Sequence, residues 1–311
     1  MLLSIVAGGW PAAALAFTTT AIAPGYRVDP FPDLPGTNAL AMSSGGNVYV
    51  DVGPSGGTYT VEQLSPPAYT TGTAVSTFTN AGPLGPSANI TGLDFSPSGQ
   101  MYASESLSDR NSGYIREVAT GNVLFTLSAY RPTGIAIVDD NTFLFTGRQQ
   151  SNLSFGGVYR GVRGGSIVQI IPDIIGRGVA VTTTGDIYVC TPSTPTSAGY
   201  LGASLYRFPG GVGPAQWLAS FDGNGIAELT LDAAGKVYAL GDPDPTTGKS
   251  PVLVITRQPQ SASVPALGSR APLLLLLLLG LAGLAALRHS FAMETAITSV
   301  SASGGAPTRR A

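Results

Sequence analysis

Side chains able to do chemistry are scarce in this chain, and the scarcity limits its function. The only histidine is His289, near the C-terminal end, and the only cysteine is Cys190. Before residue 289 there is therefore no material for a Ser-His-Asp or Cys-His nucleophile, nor for a histidine metal site. One cysteine cannot form an internal disulfide. In the apolar stretch Ile187-Tyr188-Val189-Cys190 it reads as a buried, inert thiol. No phosphate-binding loop, dinucleotide fingerprint or zinc spacing is present. The net charge is −2 and only 11% of residues are charged, with no basic patch, so nucleic acid is not an expected partner.

Carboxylates, amides, arginines and tyrosines remain. Carboxylates could hold a divalent cation, Ca2+ above all. The candidate set is Asp94, Glu105, Asp222, Asn224 and Glu228. Asp222-Gly223-Asn224-Gly225 has the look of a calcium-loop fragment but no acidic continuation, and a plain turn is the competing reading. Glu228 and Asp94 each interrupt a repeat at positions that otherwise carry Gly or Ala, and Ala or Thr. A carboxylate there is costly to bury unless paired. The two either meet Arg131 or Arg177 in structural pairs, or face a wet channel, an ion or a ligand.

The repeat that must position these residues occurs five times. It runs small–apolar–x–apolar, a turn, then Gly-x-apolar-Tyr, as in Ala39-Leu40-Ala41-Met42 with Gly46-Asn47-Val48-Tyr49. The turn residues are Gly46, Gly99, Asn141, Gly185 and Gly235, a period of roughly 47 residues. Alternation predicts strands, and Gly or Asn supplies the positive φ of a tight hairpin. Further strand-like segments follow each copy, including Gly113 to Val118, Val123 to Leu127, Ile167 to Ile171 and Leu205 to Phe208. Four strands per period predict an all-β β-propeller over residues 24–260, with five blades, six being the alternative. The fifth copy lacks a fourth strand, and Gly25-Tyr26-Arg27-Val28 is the segment expected to supply it and close the ring. Tyr49, Tyr102, Tyr188 and Tyr238 recur at one repeat position and are expected to pack between blades.

The motif resembles NHL-type and SMP-30-like propeller repeats across about residues 27 to 257. In an SMP-30-like lactonase a cation sits at the channel mouth on Glu, Asn and Asp, which is what gives the candidate set its meaning. On that architecture one face carries Asn38, Asn89, Arg131, Arg177, Asp222 and Asn224, together with Asp51, Glu105, Arg148 and Asp242. The absence of histidine separates the chain from propeller lyases that use one.

Both ends read as addresses. Residues 1–23 are apolar and small, a secretion signal with possible cleavage after Ala16 or Ala23, the first being preferred. Residues 261–270 form a linker containing Val264-Pro265-Ala266-Leu267-Gly268. Residues 271–288 contain an unbroken apolar run, Ala271 to Leu287, that as a helix would rise about 25 Å, followed by Arg288. Residues 289–311 are a basic tail, expected to be disordered. Val264 to Gly268, the apolar segment and Arg288 resemble the C-terminal sorting domains of the PEP-CTERM and IPTL-CTERM types. The resemblance implies a sorting and processing peptidase as partner, and location in the inner membrane facing the periplasm or, after sorting, at the cell surface. A permanent single-span anchor would give the same orientation.

Three functions fit this reading. One is a non-catalytic envelope or surface propeller whose face binds a protein or glycan. Another is a structural repeat module. The third is an SMP-30-type metal-dependent lactonase or hydrolase.

Overall fold

Five copies of the repeat become five blades. The computed structural model describes residues 17–259, apart from 56–57, 80, 83–84, 108, 110, 150–151, 192–193, 197–198, 202 and 223–224. From the axis outward, blade 1 is Leu40–Met42, Val48–Ser55, Thr58–Leu64 and Gly72–Thr79. Blade 2 is Gly85–Phe95, Met101–Leu107, Gly113–Glu117 and Val123–Leu127. Blade 3 is Tyr130–Asp139, Thr142–Gln149, Asn152–Val162 and Ile167–Pro172. Blade 4 is Val179–Val181, Ile187–Thr191, Ala203–Phe208 and Gln216–Asp222. Blade 5 is Ile226–Leu231, Val237–Gly241, Lys249–Arg257 and Tyr26–Pro35. The last of these comes from the N-terminal side of the domain, so the chain closes its own ring as the repeat count implies.

The constant spacing inside the repeat is a constant register. Ala41 faces Tyr49, Asp94 faces Tyr102, Ala136 faces Leu144, Ala180 faces Tyr188 and Thr230 faces Tyr238. Gly46, Gly99, Gly185 and Gly235 have φ between 76° and 85°, the left-handed region a side chain resists. Asn141 departs from the expectation, because it does not take a positive φ. The blade 3 turn is instead held by Asp139, whose Oδ1 accepts from the amides of Asn141 and Thr142, both at 2.8 Å.

Apolar side chains sort into five cores, and each core is the seam between two neighbouring blades. The recurrent tyrosines belong to these seams: Tyr102, Tyr188 and Tyr238 are buried, and Tyr49 packs edge-on against Phe95 of the next blade. The hydroxyls of Tyr49, Tyr102 and Tyr238 find partners at the rim, as Tyr102 does on Gln100 at 2.9 Å.

The sheet begins earlier than residue 24. Thr18–Ile22 pairs antiparallel with Gln216–Asp222 as a fifth, outermost strand of blade 4, and Phe17 stacks on Phe221. The segment 17–35 therefore clasps blades 4 and 5 in turn. Among the described residues no helix is long and apolar enough to cross a membrane. The apolar run of 271–288, the sorting residues Val264 to Gly268 and Arg288, the basic tail and residues 1–16 all lie outside the described residues.

Candidate functional site

The inner strand of a blade has one edge with no sheet neighbour, so its amides and carbonyls on that edge need other partners. Here the edges are brought very close. A Cβ placed on Gly134 would lie 2.5 Å from the Arg177 carbonyl oxygen, and one on Gly178 would lie 2.5 Å from the Leu229 nitrogen. Small residues at this level are thus required by the crowding of inner strands. Blade 5 breaks the column with Glu228, whose side chain fits because Gly92 has none: a Cβ there would sit 2.5 Å from Glu228 Oε2.

Glu228 is fully buried, at 0% exposure. Its Oε1 accepts from the Leu229 amide at 2.9 Å, and Oε2 has no hydrogen-bond partner. Burial pushes its carboxyl well above the usual range; the Leu229 amide opposes that and the nearby Asp94 carboxyl adds to it. Asp94, two residues beyond Gly92, reaches into blade 3 and accepts from the Ile137 amide at 2.7 Å. Burial raises it to about 7 against the pull of the Ile137 and Phe95 amides. The expected pairing with Arg131 or Arg177 is not what these acids do. Their hydrogen bonds go to backbone amides of inner strands, and Arg177 instead forms an ion pair with Asp242 of blade 5 at 2.6 Å.

The reason blade 5 needs Glu228 lies in the second strands. Five residues beyond each turn residue stand Asp51, Ser104, Thr146, Cys190 and Leu240. The first four are buried and bond to the segment entering an inner strand. Asp51 accepts from the Thr37 hydroxyl and from the amides of Asn38 and Ala39 at 2.9 and 2.8 Å. Ser104 meets Thr91 at 3.0 Å, Thr146 donates to the Arg177 carbonyl at 2.9 Å, and the Cys190 sulfur accepts from the Gly178 amide at 3.0 Å. Leu240 offers no such group, and Glu228 supplies its own acceptor. Cys190 is thereby accounted for as a structural thiol, pushed up to about 12 chiefly by burial. Burial also raises the Asp51 carboxyl in spite of its hydrogen bonds.

Of the remaining candidates, Glu105 and Asp222 have surroundings of their own. Glu105 is buried within blade 2 in a bidentate ion pair with Arg116, at 2.5 and 3.3 Å, and Arg116 also lies over the Phe78 ring at 5.3 Å. Asp222 is exposed at the end of the fourth strand of blade 4, opposite Thr18. Asn224 lies outside the described residues. Hard cations of the calcium type take six to eight oxygen ligands. Glu105 is committed to Arg116, Asp222 stands off the axis, and Glu228 and Asp94 accept from amides. Among the described residues no group of three such side chains is assembled that could hold a metal ion.

The sequence did not single out Arg116, because its partner depends on the register of a third strand. Nor did it join Asp51 and Cys190, each noted for another reason, to Ser104 and Thr146 as one ring, whose only common signal was equal spacing from the turn.

No family model matches the chain, and no curated protein matches it. Solved structures similar to it include a gluconolactonase from Xanthomonas campestris, at 9% identity, TM-score 0.47, with 79% of this chain and 96% of that chain covered. An aldose sugar dehydrogenase from Streptomyces coelicolor, in its PQQ-bound form, is similar at 13% identity and TM-score 0.42, with 76% and 100% covered. A virginiamycin B lyase from Staphylococcus aureus is similar at 12% identity and TM-score 0.39, with 70% and 68% covered. The activities named are those of these proteins, and the finding for this chain is its own architecture, an all-β propeller of five four-stranded blades.

Proposed function

We propose that this chain is an exported cell-envelope or surface propeller, delivered by the segment before Phe17 and held or sorted by residues 264–288. Its axial face binds a protein or glycan without acting on it chemically. One observation carries the binding-module reading: the acids at the axis are used up in building the ring. Asp51 holds the entry to blade 1, Glu105 is tied to Arg116, Asp242 to Arg177, and Asp94 and Glu228 cap inner-strand amides. A carboxylate already spent on the backbone is a poor cation ligand or general base.

The test is calorimetric titration of the intact, chelator-treated protein with calcium. The expected result is no saturable heat. Saturable binding that disappears in Glu228→Ala, together with calcium-dependent lactone hydrolysis, would replace this reading with the lactonase one. Delivery is tested separately by fractionation. The protein should be found in the envelope and be open to added protease in spheroplasts, whereas a cytosolic, protected protein would contradict export.

A further inference from the structure

Two bonds near the N-terminus satisfy the small-x-small rule of a leader peptidase: the one after Ala14-Leu15-Ala16 and the one after Ala21-Ile22-Ala23. The stretch between them, Phe17 to Ala23, is used by the fold. Thr18, Thr19, Ala21 and Ile22 pair with Asp222, Phe221, Ser220 and Ala219. The Ala23 amide continues this ladder by donating to the Leu218 carbonyl at 2.7 Å. The Ala23 carbonyl then accepts from the Tyr26 amide at 3.2 Å. That turn carries the chain from the outer edge of blade 4 into Tyr26–Pro35, the strand that completes blade 5.

Phe17 anchors the other end of the stretch. Its ring stacks on Phe221 with centroids 5.4 Å apart and packs against the apolar core shared by blades 4 and 5. The same ring lies over Gly241, the last residue of the second strand of blade 5, where a Cβ would come within 3.1 Å of it. An aromatic ring placed in this way gains from both burial and stacking. A cut after Ala23 would remove this ring and the strand together. It would leave Gln216–Asp222 as an uncovered sheet edge and sever the turn into blade 5. A cut after Ala16 leaves every one of these contacts in place.

We infer that the processing site of this chain is the Ala16–Phe17 bond, and that the residues just after it are kept as a working strand of the propeller. Water adds across that amide, leaving a carboxylate on Ala16 and an ammonium on Phe17. This rests on the export reading and names the bond at which the exported chain is processed.

The experiment is N-terminal sequencing of the full-length chain recovered from the envelope fraction. The first cycles should read Phe17-Thr18-Thr19-Thr20. Ala16→Leu puts a large side chain where the peptidase requires a small one and should lower the processed fraction about tenfold. Ala23→Leu should leave the start at Phe17. Phe17→Ala should be cut at the same bond and melt about 3 °C or more below the parent. An envelope chain that begins at Pro24 or at any other residue, or that still carries residues 1–16, overturns the inference. So does unchanged processing in Ala16→Leu or an unchanged melting temperature in Phe17→Ala. A chain found only in the cytosol overturns the export reading and the inference with it. The fraction that holds the protein therefore tells the two failures apart.

Discussion

Glu105 and Glu228 are both carboxylates at 0% exposure, each on one of the two innermost strands of its blade, and the fold treats them in opposite ways. Glu105 has a full cation beside it, held by a bidentate pair and by Phe78 and Tyr114 rings within 5.3 and 5.8 Å of the guanidinium. Glu228 has amide dipoles and a second acid, and burial drives it toward the neutral form. The difference shows what a narrow propeller axis permits. Within a blade an arginine can reach an acid across a strand pair. On the axis, where a Cβ on Gly92, Gly134 or Gly178 already collides, no such side chain fits.

Removing the cation should give the largest effect. Arg116→Ala leaves Glu105 buried without its charge partner and should cost about 3–5 kcal/mol in denaturant unfolding. A loss below about 1 kcal/mol would mean that the pair is replaceable and the contrast is not one of charge.

The axial acids should set the pH dependence. Asp94 is raised from 3.8 to about 7, so the folded state holds a proton that the unfolded state has released. The contribution of Asp94 to stability is then fully present below about pH 4 and is lost as pH rises through 7. Glu228 is raised in the same sense. Because Asp94 retains some solvent contact, the decline should be about 2–3 kcal/mol. Urea midpoints between pH 4.5 and 8.5 measure it, and Asp94→Asn with Glu228→Gln should flatten the profile (a rise with pH would reverse the argument).

A smaller loss is expected when the space for Glu228 is taken. Gly92→Ala places a methyl against Oε2 and should destabilise by about 1–3 kcal/mol. Glu228→Ala should relieve the methyl's contact with that oxygen, giving a positive coupling in a double-mutant cycle. Smallest of all is Glu228→Gln. It keeps the shape and the acceptor for Leu229 and should change stability by less than about 1 kcal/mol at pH 5. An effect as large as that of Arg116→Ala would show that Glu228 acts as a charge after all.

The repeat made most of the fold readable. Turn glycines at equal distance from an apolar alternation fix both a hairpin and its register, and a missing fourth strand in the last copy leaves only the N-terminal segment to supply it. The Asn141 turn was not readable in the same way, since an Asx turn and a left-handed asparagine look alike until Asp139 is placed. The strand at Thr18–Ile22 sits inside a stretch whose small apolar residues also suit a leader, and composition cannot separate the two. For the site, the sequence marked Asp94 and Glu228 as out of place in their columns but pointed to arginines as their partners. Backbone amides have no signature in a sequence. They emerge only once inner strands are known to leave one edge unpaired. That Arg131 and Arg148 are register partners was not readable either, since the pairing depends on the irregularity between Pro132 and Gly134.

The clasp that completes blade 5 also sets an order on assembly. Ser250 donates to the Thr37 carbonyl at 3.0 Å across 213 residues of chain, and Tyr26 to Pro35 pairs only with residues 249 to 257. Bringing such distant segments together costs on the order of 5 kcal/mol in chain entropy, about 1 kcal/mol more than closing a loop one blade long. The ring is thus a lock that turns last, when its final strand has been delivered. Until then it leaves two open sheet edges, so a chain shortened before residue 249 should be prone to join edges with its neighbours.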